Sequence, residues 1–440
     1  MNWEKLFRRG LIAFIIVIFL LTVVIVGAAI QIFDGAGQYI MSDFENHDIA
    51  KQRAQQRAEH DAQKKAGVAL KSFSRSINSE LSDDEISAVT NNIIKVSEVE
   101  IVPVPFEAEG EAGLMYRATL KATIDTDGIY AWIKRDDKEK VTILNQNKDL
   151  QDAIQKNNEQ AEDLKEQYKH ETSEAEKEKI REQIEQADRK FLANQKLEEA
   201  NKLYYAGNYD SAIKLYNEAI ELNPNLAEAY KGRGDSYNNI RQNQRAIQDF
   251  NKSIQLKPSS ASAYNSRGTS YAFLNQYEQA IQDFDKAIQL NPNSATAYNF
   301  RGNIYALLSQ YERAIKDFDK AIEILPNYSS AYNNRGGAYN FLKQYKKAIQ
   351  DFSKSIELNP NFAVAYSNRA NSYKNLGQYK LALNDCNKAI QLRPNFSAYY
   401  QLRGYIYKKL GDDLNAQADF AKAKELGYNG DVKQKAINGH

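Results

Sequence analysis

The apolar positions change their period along the chain, and each change marks a different element. Residues Leu11 to Phe33 are almost uninterrupted apolar, broken only by Thr22, Gly27 and Gln31, with no charge. From Ala50 the period becomes four: Ala50, Ala54, Ala58, Ala62 and Ala66, extended by Ala69, Phe73 and Ile77. Residues at i and i+4 share a helical face, so this stripe predicts a long helix lying close against another element. Between Leu114 and Ile124 the period drops to two, with apolar even positions, which predicts a half-buried strand. From residue 193 a longer period takes over, and it is the strongest signal in the chain.

The first run is long enough, at ~1.5 Å per residue, to cross a ~30 Å hydrocarbon core as a transmembrane helix. Lys5, Arg8 and Arg9 precede it, and Asp34, Asp43, Glu45 and Asp48 follow. Positive charge on the N-terminal side predicts residues 1–10 in the cytoplasm and the remainder exported, periplasmic or extracellular. The competing expectation is secretion after signal-peptide cleavage, with Gly27, Ala28 and Ala29 as the cleavage region. The run exceeds the ~7–15 residues of a usual signal-peptide core, so an uncleaved single-pass signal anchor over residues 11–33 is the expectation.

Residues 36–135 read as a small α+β module. Gln38 to Met41 is a short strand, and the alanine-striped helix follows. Ser82-Asp83-Asp84-Glu85 is a capping box opening a second helix. Val99 to Val104 is the antiparallel partner of the 114–124 strand, across a turn at residues 109–113. Pro103 and Pro105 put that partner at a sheet edge, because proline cannot donate to a ladder. A short helix around Ile129 to Lys134 closes the module. The order resembles a small envelope domain of bacterial lipoproteins and of a flagellar-assembly protein, which implies docking and no chemistry.

Residues 141–192 are rich in Glu, Lys, Gln, Asn and Asp, without proline or glycine. Leu150, Ile154, Ala161, Leu164 and Tyr168 form one helical face, and Ile180, Ile184, Ala187 and Phe191 another. The pattern lapses around His170 to Lys179, and Ser173 to Glu176 is a capping box. A charged helical stalk is expected, as a two-helix antiparallel hairpin or a coiled-coil rod. Its charge run is a solvated face or a seam for homo-oligomerisation.

Six prolines, Pro224, Pro258, Pro292, Pro326, Pro360 and Pro394, recur every 34 residues. That period signals stacked helix–turn–helix units. Seven units follow: 193–226, 227–260, 261–294, 295–328, 329–362, 363–396 and 397–430, leaving a tail at 431–440. Gly234, Gly268, Gly302, Gly336 and Gly404 hold the eighth position, with Ala200 and Ala370 in the other two units. Alanine holds the twentieth position throughout. These small residues let the two helices of a unit come close. Tyrosines at the fourth and eleventh positions and Phe250, Phe284, Phe318, Phe352 and Phe420 at the twenty-fourth are core aromatics. Tyr216 and Cys386 stand at the twenty-fourth position in the first and sixth units. The repeat tyrosines account for most of an unusual composition, 28 tyrosines against 2 tryptophans.

This pattern resembles the tetratricopeptide repeat (TPR) family over residues 193–430. The resemblance implies a mainly α fold, a right-handed α-solenoid, and a concave groove that binds protein or peptide segments. It implies groove contacts at the second, fifth, ninth, twelfth and thirteenth positions and often the sixth; the fifth gives Lys231, Asn265, Asn299 and Asn333, the sixth Asn334 and Asn368, the ninth Asp235, Thr269, Asn303 and Asn371, and the thirteenth Phe273, Leu307 and Phe341. Asparagine carries a donor and an acceptor, so it can pair with a peptide backbone of any sequence. The carboxylate clamp of some members needs lysine at the second position, where Glu228, Ser262, Thr296, Ser330 and Val364 stand, so it is not expected. The first unit departs with Lys196 in place of tyrosine, the second with Arg241-Gln242-Asn243 at its turn, and the last with Tyr428 in place of proline.

Arginine holds the seventh position and aspartate the twenty-third in units two to seven. The pairing is either an Arg–Asp ladder within or between units, or a row of arginines offered to acidic ligands. Net charge is +1, without the basic surface that nucleic acid requires. The single Cys386 excludes an internal disulfide. His47, His60, His170 and His440 lack metal-ligand spacing, and no phosphate loop or nucleophile elbow occurs. The expectation is therefore a non-enzymatic scaffold without cofactors, in envelope assembly or protein handling. The alternatives are a structural, oligomerising protein and a non-catalytic subunit of a transferase-type system.

Overall fold

The computed structural model describes residues 31–41, 47–76, 86, 90, 95–108, 111–124 and 137–428. The chain divides between Ser236 and Tyr237 into two compact units.

In the first unit, strands β1 (Gln31–Met41), β2 (Lys95–Ala108) and β3 (Glu111–Ile124) form an antiparallel sheet of order β1-β3-β2. Helix α1 (His47–Ser76) lies across it. The alanine stripe works as its period predicts. Ala50, Ala54, Ala58 and Ala62 are fully buried against Tyr39, Tyr116, Ala118, Leu120 and Ala122. Period-two alternation is equally plain in β3, where Arg117 and Thr119 face out between buried neighbours. Proline-bearing β2 pairs only with β3 and is an edge. A bulge between Ser97 and Glu100, with Glu98 at φ 50°, twists that edge.

One boundary differs from the sequence reading. β1 starts at Gln31 and pairs with β3 from Gln31↔Ile124 onward, so residues 31–33 belong to the sheet and not to the apolar run. Residues 11–30 of the expected span lie outside the described residues, and among the described residues no helix is long and apolar enough to cross a membrane. Of the helix expected after Ser82, Ile86 and Thr90 are described, both helical. The helix expected around 129–134, the tail at 431–440 and the side chains of Ala69, Phe73 and Ile77 lie outside the described set.

The charged segment is a hairpin of α2 (Asp137–His170) and α3 (Glu174–Tyr205). Leu164, Ile180 and Ile184 are buried together where the two helices meet. Ser173 is the N-cap of α3, but its hydroxyl caps nothing. The Glu171 carboxylate instead accepts the backbone N–H of Thr172 and Ser173 at 2.8 and 2.9 Å. The hairpin is not a free stalk. Tyr39 of β1 donates to Glu162 and accepts from Lys165 of α2 and from Arg53 of α1. Arg53, 3% exposed, donates to the equally buried Asp188 of α3 at 2.7 Å and stacks on Phe191. Nor does the hairpin end where the repeats begin, because α3 runs on unbroken as the first helix of the first repeat.

The remaining helices alternate as expected. The first repeat closes with α4 (Tyr209–Leu222), and the second is α5 (Ala227–Asn239) and α6 (Asn243–Leu256). The others are α7 (Ala261–Phe273) and α8 (Tyr277–Leu290), α9 (Ala295–Leu307) and α10 (Tyr311–Ile324), α11 (Ser329–Phe341) and α12 (Tyr345–Leu358). Then come α13 (Ala363–Asn375) and α14 (Tyr379–Leu392), and α15 (Ser397–Leu410) and α16 (Asp413–Glu425). Two devices separate successive repeats. After α4, α8 and α12 an Asn-Pro-Asn step folds back on itself, with Asn223, Asn291 and Asn359 accepting the N–H two residues on. Ser260 and Ser294 then cap α7 and α9. Inside each repeat the turn passes through a left-handed residue, Gly377 and Gly411 in the last two and Asn275, Ser309 and Lys343 before them.

The eighth-position glycine meets the twenty-fourth-position ring. A Cβ at Gly268, Gly302, Gly336 or Gly404 would stand 2.9, 2.8, 2.8 or 2.7 Å from the Phe284, Phe318, Phe352 or Phe420 ring. In the sixth repeat the pair changes together: Ala370 faces Cys386, and both are fully buried. Burial pushes the Cys386 thiol up to about 12.

Candidate functional site

Within the second unit the first helix of each repeat touches the first helix of the next, so these helices line its inner side. The expected groove residues lie on α5, α7, α9, α11 and α13, and the structure divides them into three groups.

Some are absorbed by the scaffold. Asn299 and Asn333 are 2% and 7% exposed. Asn368 Nδ2 donates to Asn333 Oδ1 at 3.0 Å, Asn333 Nδ2 to Asn334 Oδ1 at 3.2 Å, and Asn334 Nδ2 to Asn299 Oδ1 at 3.0 Å. Asn299 ends the chain on Tyr328 Oη at 3.4 Å. Four carboxamides thus pair across three repeats, using the donor–acceptor duality that suits asparagine to a peptide backbone. In the first unit Lys231 and Asp235 pair at 2.6 Å, both side chains mostly buried. Thr269 returns its hydroxyl to the Asn265 carbonyl at 3.0 Å.

Others retain unused capacity. Asn265 Oδ1 and Asn303 Oδ1 are buried atoms without a partner. Asn371 is half-buried on α13. An unmet acceptor costs ~1–3 kcal/mol when buried, so such atoms favour any donor that reaches them.

The two phenylalanines stand out furthest. Phe341 is 58% exposed and stacks on Tyr311 of the preceding repeat, ring centroids 5.0 Å apart. Phe273 lies under the Arg241 guanidinium at 5.2 Å, which gives the irregular second-repeat turn a contact of its own. Leu307 is half-buried among the Phe284 cluster.

One groove residue escaped the sequence reading. Gly337 holds the ninth position of the fifth repeat, between Asn303 and Asn371 in the repeat order. A Cβ there would meet nothing within 4 Å. Its signal was available: glycine inside a helix costs ~1 kcal/mol, and no turn or close contact calls for one here.

The arginines are structural. Arg267, Arg301, Arg335, Arg369 and Arg403 each grip the aspartate sixteen residues on through Nε and Nη2, at 2.7–2.8 Å. Their Nη1 atoms reach back to Asn251, Asp285, Asp319, Ser353 and Asn387 of the preceding repeat at 2.5–2.9 Å. The ladder therefore runs both within and between repeats. Each guanidinium also lies against the fourth-position tyrosine of its own repeat, as Arg301 does on Tyr298 at 5.5 Å. Carboxylate bonds to Asp351, outweighing partial burial, raise Arg335 above the ordinary arginine range.

A second correlation links neighbours. Ser270 and Ser372 at the tenth position donate to Asn238 and Asn340 at the twelfth position of the repeat before, at 2.8 and 3.2 Å. Where the tenth position is apolar, as at Ile304 and Ala338, the preceding twelfth is Ala272 or Ala306.

Comparison with known proteins agrees with this geometry. Models described as "Tetratricopeptide repeat" match residues 197–261, then 261–294, 295–328, 329–362 and 363–396, and then 397–426. No curated protein matched the chain. Among solved structures, the Cut9–Hcn1 hetero-tetramer of APC/C aligns at 18% identity and TM-score 0.49, over 55% of this chain. The alignment spans about half, 48%, of that chain. A TPR protein from Parabacteroides merdae aligns at 22% identity and TM-score 0.46, over 56% of this chain and 98% of that one. YrrB, described as a TPR protein with an unusual peptide-binding site, aligns at 24% identity and TM-score 0.36, over 44% and 97%. With its repeat matches covering just over half of its length, the chain belongs to the tetratricopeptide repeat family.

Proposed function

We propose that the protein is an interaction scaffold that takes an extended segment of a partner protein along the inner face of its repeats. The observation that carries this reading is the opening at Gly337, flanked in the repeat order by Asn303 and Asn371, with Phe341 exposed on the same helix. Across the third to fifth repeats the second, fifth, sixth, ninth, twelfth and thirteenth positions carry no charge. The segment bound there is recognised through its backbone and through apolar contact, and its affinity changes little with ionic strength. Membrane attachment belongs to the same proposal. With residues 31–33 in β1, Leu11 to Ile30 remain, and at ~1.5 Å each these residues still match a ~30 Å core. The basic flank ahead of them supports an exported scaffold serving envelope assembly or protein handling.

The test is a crosslinked pull-down from native membranes with wild type and Gly337→Trp as baits. A Cβ at this position meets nothing within 4 Å, so tryptophan should fill the opening and a groove-bound partner should be lost, with circular dichroism checking that the repeats remain folded. An unchanged partner set would move the binding site off the inner face. Asn299→Ala and Asn333→Ala are poor substitutes, because they break the carboxamide chain that joins repeats.

A further inference from the structure

Seven turns join the helices within the repeats, and one position of this edge changes sign partway along the second unit. At the eighteenth position the third and fourth repeats carry Glu278 and Glu312, whereas the fifth and sixth carry Lys346 and Lys380. Lys343 and Lys347 join the first of these, and Lys408 and Lys409 end α15 in the seventh repeat. All six lysines are exposed, and none forms an ion pair. On the opposite edge Lys320, Lys354 and Lys422 are bound to Glu323, Glu357 and Glu425 at 2.6–2.7 Å, and Lys252, Lys286 and Lys388 donate to Gln255, Gln289 and Gln391. The acidic residues on the lysine-rich edge are Asp412, which caps Asn415, and Asp413. The lysines therefore outnumber them by three to one.

Large apolar side chains protrude among these lysines. Leu376, Leu381, Leu410 and Leu414 are all exposed, Leu414 at 81%. Residues of successive turns are neighbours, as the Tyr311–Phe341 stack and the Arg241–Phe273 contact show. The lysines and leucines of three adjacent turns consequently form one band. Helix-turn tips make a ridge and not a cleft. A ridge with mobile cationic side chains and projecting leucines suits a soft anionic surface, into which apolar tips can sink while amines stay at the headgroups.

We propose that the turn edge of the fifth to seventh repeats is a docking surface for an anionic lipid bilayer. Lysines near such a surface each strengthen binding on the order of fivefold, and the effect decays within a Debye length of ~8–10 Å. This surface is separate from the groove, and from whatever residues 11–30 do.

The full chain is reconstituted with an environment-sensitive fluorophore on Leu414→Cys, Cys386 being buried and its thiol suppressed. Vesicles of phosphatidylcholine are compared with vesicles containing about one third phosphatidylglycerol. The label reports contact at the turn edge whether or not the N-terminal segment inserts. The expected result is a blue shift on anionic vesicles only, reversed by salt. Replacing Lys343, Lys346, Lys347 and Lys380 together by Glu should weaken this response on the order of a hundredfold or more. The matched reversal of Lys252, Lys286, Lys320 and Lys354 on the opposite edge should leave it intact. Equal signals on both vesicle types, or indifference to the first reversal, would overturn the proposal. A shift given by an acidic amphipathic peptide and by neither vesicle would overturn it in favour of a protein partner.

Discussion

At the scale of single residues, the repeats are held by pairs that must change together. Gly302 is small because the Phe318 ring occupies the place of its side chain. Gly302→Ala forces that ring aside, an overpacking cost of ~1–3 kcal/mol against ~1 kcal/mol of gained helix propensity. Phe318→Cys alone opens a cavity and costs about 3 kcal/mol. The sixth repeat already contains the alternative pair, Ala370 with Cys386. The double variant should accordingly be more stable than the sum of the single effects by at least ~1 kcal/mol in denaturant unfolding, and strict additivity would show that the two positions are not coupled. Periodicity made the small and large positions legible, because both recur at fixed spacing. It could not assign the asparagines. A carboxamide satisfies a neighbouring carboxamide as well as it satisfies a bound backbone, so Asn299 and Asn333 read the same in either role. The serine–asparagine correlation between adjacent repeats was the available clue that polar groove positions are partly occupied by each other.

At the scale of the element, the Arg–Asp ladder decides how a repeat is tied to the next. Each guanidinium binds one aspartate in its own repeat and one acceptor in the repeat before, and the second acceptor varies. Arg301 has Asp285 there, whereas Arg369 has only the Ser353 hydroxyl. Removing the first aspartate should therefore cost different amounts. Asp385→Ala leaves Arg369, with 19% of its side chain exposed, without any carboxylate, a loss near the lower end of ~3–5 kcal/mol for a broken buried pair. Asp317→Ala leaves Arg301 still paired with Asp285 and should cost distinctly less. Hydrogen exchange of the flanking helices would rank the two variants, and equal protection losses would refute a role for the inter-repeat carboxylate. The sequence revealed that arginine and aspartate travel together, since the first repeat lacks both. It left open whether they meet within a unit or between units, because a 34-residue period relates every repeat to its own copy and to its neighbour alike. Turn chemistry was the least legible part. The left-handed turn residue is glycine in some repeats and Ser309 or Lys343 in others, so no single residue type marks it.

At the scale of the whole molecule, the informative departure is the charged hairpin. Composition suggested a solvated stalk, as a hairpin or a rod, separating a small module from the repeats, yet the buried face of the hairpin receives Arg53 and Tyr39 from the module and then continues into the first repeat. The charges that looked like a rod's surface conceal one that is not. Asp188 is enclosed with Arg53, at 6% side-chain exposure against 3%. Nothing in the spacing of charged residues distinguishes a partnered interior aspartate from its exposed neighbours, since its partner lies 135 residues away. The consequence for experiment is direct. Deleting residues 141–192 to test oligomerisation would strip the module and the first repeat of packed surface, so a change in mass would report damage as readily as a lost seam. Asp188→Ala isolates the coupling instead. It removes the carboxylate that accepts from Arg53 Nη2, a guanidinium that is 3% exposed, and buried pairs broken in this way cost ~3–5 kcal/mol. Replacing both partners, Arg53→Met with Asp188→Leu, keeps the volume apolar and should recover most of that loss. Amide exchange across α1 and β1 should accelerate sharply in the single variant and return towards wild type in the double. If the single variant exchanges like wild type, the ion pair does not couple the module to the hairpin. If the double exchanges as fast as the single, the lost stability comes from the hydrogen bonds to Tyr39 and not from an uncompensated charge.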